Sequence, residues 1–449
     1  MSGEWLMERF ADEYAVRPAI VWRDQAHSYE WLVKQTKRFS EQLRLAHLQQ
    51  RVVSLEADYS PDTVAALFAL LGSGCVILPL DPKLPEGKRS EYLEIAQASA
   101  RIRLYDGHLH AEEQAECEVK HSLLTTLLQE GAAGLVLFSS GSTGKSKAAV
   151  HHADRLLQKF RAAGRSKKTI PFMMFDHIGG MNTLLQTLAS GGCLYVAEDR
   201  SPDAICSLIE RHKVEALPTS PTFMRLLLLS GDYMNYDLSS LQVVSCGSEV
   251  MPLHTLELWN RQFPAMRTVQ AYGMSEIGVL RTRSQSAGSL SFSLADPDTE
   301  YRIVDHMLEL KSESAMLGYL NAPSPFTEDG WLRTGDEVIV EGDSIRILGR
   351  RSEIINVGGE KVYPAEVENV LQQIDNISEV AVSAEPSGIT GQLVKATVRL
   401  HKEMSSQELR GLIRSYCMER LPFYKIPQKV VVTTEPLINS RMKKIRKPD

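Results

Sequence analysis

The chain has 449 residues, with 50 Lys and Arg against 56 Asp and Glu, 43% hydrophobic residues and 24% charged ones. That balance supports a large buried core and excludes a disordered chain. A formal charge of −6 gives no general attraction to polyanions, so nucleic acid is not an expected partner.

At this length two or three domains are expected. Residues 1–10 carry Glu4, Glu8 and Arg9 where a signal peptide needs an apolar run, which predicts no export and a cytoplasmic location. Residues 63–80 are uncharged over 18 positions, close to the minimum for a bilayer span. Gly72, Ser73, Gly74 and Pro79 interrupt them, so the segment reads as a buried helix over 61–71, a glycine turn and a buried strand over 75–80, with no membrane partner. A strand at 135–138 runs into a Gly/Ser/Thr loop, one at 193–196 precedes a helix at 202–211, and one at 241–245 precedes a glycine turn. Such alternation predicts an α/β chain of mainly parallel sheets with helices.

Near residue 350 the pattern changes. A strand at 344–348 is followed by a turn at Gly358-Gly359, a helix opened by Pro364 with Glu366 and Glu368 behind it, and strands at 380–383 and 394–400. Ser405 and Glu408 form a capping-box pattern for a helix to about residue 420, and a last strand spans 429–433. A small α+β domain is expected there. The six cysteines, at 75, 117, 193, 206, 246 and 417, show neither C-x-x-C nor zinc spacing and read as buried thiols.

The strongest local signal is Phe138-Ser139-Ser140-Gly141-Ser142-Thr143-Gly144-Lys145-Ser146-Lys147, directly after a strand. Glycines and small hydroxyl residues let N–H and O–H groups converge on phosphate oxygens, and the lysines add charge. A Walker A loop would need a further glycine where Ser139 stands, so its spacing rule is not met.

This loop resembles the signature of the adenylate-forming superfamily, which holds acyl- and aryl-CoA synthetases, luciferases and peptide-synthetase adenylation domains. Further motifs follow in the superfamily's order. Residues 69–82 resemble its early helix-turn-strand; Gly247-Ser248-Glu249 its adenine-side turn; Gln270-Ala271-Tyr272-Gly273-Met274-Ser275-Glu276 its aromatic and magnesium motif; and Gly330-Trp331-Leu332-Arg333-Thr334-Gly335-Asp336 its ribose motif. Arg350, the turn at Gly358-Gly359 and Pro364 resemble the hinge and thioester loop, and residues 437–447 the terminal catalytic-lysine motif.

The resemblance implies two domains, residues 1–351 for ATP and acid and a mobile unit at 352–449, pivoting at Ser352, where the superfamily usually has Asp or Lys. It also implies roles. Ser139, Ser140, Gly141, Ser142, Thr143, Gly144 and Lys147 would hold phosphates, with Thr143 near the reaction, and Ser275 would add a hydroxyl. Gly247, Ser248, Glu249, Tyr272, Gly273 and Met274 would surround adenine, Asp336 and Arg350 would hold ribose, and Glu276 would ligate Mg²⁺. His177 would gate the acid, with Asp176, Gly179 and Gly180 lining its pocket, and Gly358 and Gly359 would border a thiol channel.

Two lysines compete for the terminal position in Met442-Lys443-Lys444-Ile445-Arg446-Lys447. Against a Gly-Lys-Ile/Val-x-Arg/Lys pattern, Lys444 puts Ile445 and Lys447 in register and leaves Lys443 in place of the glycine, so Lys444 is taken as catalytic and Lys443 as dispensable. The implied activity is ATP-dependent conversion of an aryl or medium-chain acyl acid to an acyl-adenylate, then transfer to CoA. A carrier protein's phosphopantetheine, loaded with such an acid or with an amino acid, is the alternative acceptor. A non-catalytic nucleotide-binding relative is the third reading; it needs broken motifs, whereas the Lys, Glu and Asp positions are filled.

Overall fold

Residues 52–80 show how the interior is built. All five residues of the strand Val52–Glu56 are buried, Ser60 caps the next helix by accepting from Thr63 N–H, and Pro61 opens its first turn, where no amide partner is needed. In that helix, Pro61–Gly72, Pro61 and every residue from Thr63 through Leu71 are buried. Gly74, at φ +67°, then reverses the chain into Val76–Leu80, which lies parallel to Val52–Glu56. The uncharged stretch is therefore interior packing, and among the described residues no helix is long and apolar enough to cross a membrane.

These features belong to a computed structural model that describes residues 2–114, 118–139, 146–286, 288–439 and 442–446. One seven-stranded sheet runs in the order Arg267–Gln270, Val243–Cys246, Ala216–Thr219, Lys168–Thr169, Cys193–Tyr195, Pro18–Trp22, Gln25–Ser28, parallel except at its last hairpin. A second has a parallel centre of Gly134–Ser139, Val76–Leu80, Val52–Glu56 and Ala100–Tyr105 with antiparallel strands at both margins. The largest core cluster joins them: Ile20 and Leu194 from one sheet and Val53, Leu55, Ile77 and Leu137 from the other meet the buried faces of Tyr29–Leu45, Pro61–Gly72 and Ile178–Ala189.

A third, six-stranded sheet over residues 282–350 is antiparallel throughout, an exception to the parallel expectation. Beyond it lies a five-stranded sheet of Ile355–Val357, Glu360–Val362, Ile377–Ser387, Gly391–Leu400 and Lys429–Val432, covered by the helices Pro364–Leu371 and Ser406–Met418. Its core, which includes Val367, Leu371, Val382, Ala396 and Ile413, draws on no residue before Ile355. Both bonds of the Ser405/Glu408 capping box are present. Cys75, Cys193, Cys206, Cys246 and Cys417 are free and buried as expected; Cys117 lies outside the described residues.

Candidate active site

Three parallel strands, Ala216–Thr219, Val243–Cys246 and Arg267–Gln270, end side by side, and the segments after them carry Ser220, Gly247-Ser248-Glu249 and Tyr272. The carboxyl edge of a parallel sheet is where α/β proteins gather ligand groups. Gly247 donates its N–H to Thr219 O at 3.1 Å, and a Cβ there would stand 2.8 Å from Ala271 O, so no other residue lets these ends lie so close. Gly273 is confined likewise by Gly278 O at 2.5 Å, Met274 is buried, and Ser248 takes a left-handed φ of 72°.

The proposed ribose residues face one another because the antiparallel register makes Asp336 and Arg350 direct partners. Gly335, at φ +77°, turns the chain ahead of Asp336. Tyr272 Oη donates to Asp336 Oδ2 at 2.6 Å and Arg350 Nε lies 3.4 Å from Oδ1. Burial raises the Asp336 carboxyl above its ordinary range, opposed by Arg350 and by the tyrosine bond. Each oxygen keeps lone-pair capacity for a sugar hydroxyl. Tyr272 itself is only 8% exposed, its ring 5.9 Å from that of Phe292, so it brackets Asp336 as well as bordering the space beside Gly247.

At the phosphate end, Ser139 and Lys147 are partners across the hairpin formed by Gly134–Ser139 and Lys147–His152. Ser140, Gly141, Ser142, Thr143 and Gly144 lie outside the described residues. Lys147 Nζ sits 5.3 Å from the centre of the Tyr319 ring, and Tyr319 Oη donates to Glu276 Oε1. The carbonyl of Ser275 accepts from His151 Nε2 at 2.6 Å.

His177 caps the helix Ile178–Ala189, its Nδ1 accepting from Gly179 N–H at 3.0 Å, which leaves the proton of the neutral ring on Nε2. Asp176 beside it is buried. A Cβ at Gly180 would lie 2.1 Å from Met174 O and 2.8 Å from both Met173 O and Tyr59 Oη, so its missing side chain serves the loop's close packing.

The terminal segment brings the main correction. Lys444 Nζ is bound to Glu368 Oε2 at 2.9 Å, on the far side of the segment from His177. It is Lys443 whose Nζ reaches His177 Nε2, at 3.1 Å. Met442 before it adopts φ 51°, the left-handed conformation that glycine favours, as the position ahead of the motif's lysine would. A second correction concerns Glu249: its carboxylate accepts from Thr222 Oγ1 at 2.5 Å and from Lys444 N–H at 2.8 Å, joining the terminal segment rather than facing adenine.

Ser352 is exposed in a short 3₁₀ turn, Arg351–Glu353, between the third and fourth sheets. Gly358 and Gly359, at φ 60° and 94°, form an exposed hairpin tip whose Gly358 N–H donates to Thr390 O.

The AMP-binding enzyme family matches residues 7–320, and the AMP-binding enzyme C-terminal domain matches residues 366–444. The chain is an AMP-binding enzyme. This AMP-binding enzyme is 27% identical to an indoleacetate–CoA ligase of Aromatoleum aromaticum over 100% of its own length and 97% of the relative's. It is also 27% identical to a 2-succinylbenzoate–CoA ligase of Bacillus subtilis, over 99% and 98%. Its fold is shared with an anthranilate CoA ligase solved with anthranoyl-AMP (TM-score 0.83, 20% identity, 99% of this chain and 96% of that one). It is shared too with the o-succinylbenzoate CoA synthetase of Bacillus subtilis solved with its acyl-adenylate (0.80, 24%, 98% and 96%).

Sequence reasoning passed over Tyr319, His151 and Glu368 in this enzyme's site. Glu368 is the one with a signal: a glutamate on the first turns of a Pro-opened helix, on the apolar face with Val367 and Leu371, implies a buried carboxylate that needs cations.

Proposed function

We propose that this enzyme activates an aryl or medium-chain acyl acid with ATP and transfers the acyl group to CoA. The observation that carries the reading is the meeting of Lys443 Nζ and His177 Nε2–H at 3.1 Å. An ammonium has donors only, and with Nδ1 already accepting, Nε2 is a donor too. Two donors aimed at one point, beside the N-terminus of a 12-residue helix, suit an anion that accepts from both.

The acid's carboxylate fills that description. One of its oxygens attacks the α-phosphorus of ATP, the bond from that phosphorus to the bridging oxygen breaks, and pyrophosphate leaves. Lys443 offsets the charge that would keep two anions apart, while Asp336 and Arg350 fix the ribose and so the position of the α-phosphate. A thiol then attacks the acyl carbon, AMP departs, and the thiol proton passes to solvent.

Glu276 fits a magnesium ion that arrives with the nucleotide: Tyr319 occupies one carboxylate oxygen and leaves the other, a single hard ligand of the kind Mg²⁺ takes beside phosphates and water. No group of three or more His, Cys, Asp or Glu among the described residues could hold a metal alone. Bound there, the ion would neutralise charge on the leaving pyrophosphate. We place the domain boundary at residues 351 and 352, with Ser352 as pivot and Gly358-Gly359 as the turn that would approach the thiol after rotation.

The test is a pyrophosphate-release screen of aromatic and medium-chain acids with CoA or a phosphopantetheinylated carrier protein as acceptor. Release with an aryl or acyl acid followed by a CoA thioester is the expected result. Release with amino acids and acyl transfer only to the carrier would replace this reading with carrier loading.

A further inference from the structure

We propose that Glu368 is a positioning residue for adenylation: by gripping the side chains on either side of Ile445, it sets the aim of Lys443. The inference rests on the reading of Lys443 as the lysine at the acid.

The terminal segment is a narrow ladder. Ile438 bridges Lys444, Ile445 N–H donates to Leu437 O at 2.8 Å, and Asn439 Oδ1 accepts from Lys443 N–H at 3.0 Å. Along an extended chain, neighbouring side chains point to opposite faces. Lys444 and Arg446 therefore share one face and Lys443 takes the other. Whatever holds the first pair decides where the third points.

Glu368 holds the first pair. It lies on the helix Pro364–Leu371 at 1% exposure. Its Oε1 accepts from Val382 N–H at 3.0 Å and Arg446 Nε at 2.9 Å, and its Oε2 from Lys444 Nζ at 2.9 Å and Arg446 Nη2 at 3.1 Å. Burial alone would raise this carboxyl, but Lys444 and Arg446 hold it down at about 2, so it stays ionised. Arg446 also donates to Glu353 at 2.8 Å, the residue after Ser352. The ladder is thus fastened to the interior of the C-terminal unit and to the edge of its pivot, so that Lys443 enters and leaves the acid site as part of that unit.

A mainly structural glutamate would affect both half-reactions through the fold. A positioning residue affects only the half-reaction that needs Lys443. Glu368→Gln keeps the volume and removes the charge, and Lys444→Met removes one gripped side chain. With ATP and the acid that releases most pyrophosphate in the screen, each is expected to lower the adenylation kcat by about 10- to 100-fold, the scale of a small misplacement at a reacting centre. The KM for ATP and thioester formation from presynthesised acyl-adenylate should stay within about twofold of the parent by the same principle, since neither uses Lys443. The double variant should be no slower than Glu368→Gln alone, because both act through one contact.

Lys443→Ala, run in parallel, separates the two readings. If it leaves adenylation intact, the assignment of Lys443 falls. If it abolishes adenylation while Glu368→Gln and Lys444→Met leave kcat unchanged, the positioning role is overturned and the lysine assignment stands. Equal slowing of both half-reactions by the variants also overturns it. Lys444→Met alone carries the test where Glu368→Gln does not fold, as judged by thermal denaturation.

Discussion

At the scale of single residues, the two adjacent lysines face opposite partners, Lys443 on His177 and Lys444 on Glu368, and the proposal gives them opposite tasks. Lys443→Ala is expected to cut adenylation roughly 10²-fold or more, the loss of one electrostatic stabiliser, and to spare conversion of presynthesised acyl-adenylate. The half-reactions timed separately check this, and a larger loss in the thioester step would contradict it. The sequence alone offered two alignments of a basic tail, and the pattern favoured Lys444 because it alone puts an isoleucine after the lysine. What separates them is the left-handed backbone at Met442, and a methionine carries no sign of that conformation. His151 supports a second prediction. It is buried, with Nε2 on Ser275 O and Nδ1 without a partner among the described residues. Burial, with a smaller push from Lys159, lowers it to about 4 against the pull of the Ser275 carbonyl and Glu276. A histidine whose folded value lies below its unfolded one contributes fully above about 6.5, and that contribution fades as pH falls toward 4. The loss amounts to about 3 kcal/mol in all. Urea denaturation at pH 7.5 and 5.0 should show the fall, and His151→Phe should flatten it.

Among the elements, those whose periodicity and caps agree were legible. The buried helix and strand within residues 61–80, the Pro-opened helices Pro202–His212 and Pro364–Leu371, and the capped helix Ser406–Met418 all stand where spacing put them. The antiparallel sheet over 282–350 was less legible in part because two of its six strands, Thr282–Ser284 and Phe292–Leu294, are only three residues long, too short for an alternation to register. Candidate ligands were legible as residue types in order, at Asp336 and Glu276 for example, but their partners were not: nothing local ties Tyr272 to Asp336 across 64 positions. The close packing at Gly180 was hidden for a related reason, since a glycine in sequence looks the same whether it opens a pocket or closes a contact. Gly180→Ala would force a Cβ into the Met174 carbonyl. It should destabilise the protein by about 1–3 kcal/mol, the usual penalty of overpacking. A thermal melt would show this, and an unchanged midpoint would mean that the loop yields freely.

Over the whole molecule, the arrangement with Lys443 at His177 is, in the proposed rotation, the adenylating one of two. Ser352 already sits in a 3₁₀ turn whose φ a proline can adopt. Ser352→Pro should therefore slow thioester formation, which needs the turn to change, far more than adenylation. Rapid-quench measurement of each half-reaction decides it: equal slowing, or none, would move the pivot elsewhere.

The way the two units touch has a further consequence. From the larger unit, Ser220 Oγ donates to Met442 O at 2.8 Å, Glu249 accepts from Lys444 N–H at 2.8 Å, and Arg225 Nη2 donates to Gln372 O at 3.1 Å and Ile377 O at 3.4 Å. In each case a side chain of one unit addresses the main chain of the other. Main-chain groups are the same whatever residue bears them. These three seats therefore read the path of the partner's backbone and tolerate drift in its side chains, whereas Lys361 on Glu337 at 2.9 Å and Lys443 on His177 at 3.1 Å pair side chain with side chain and pin the identities of those positions.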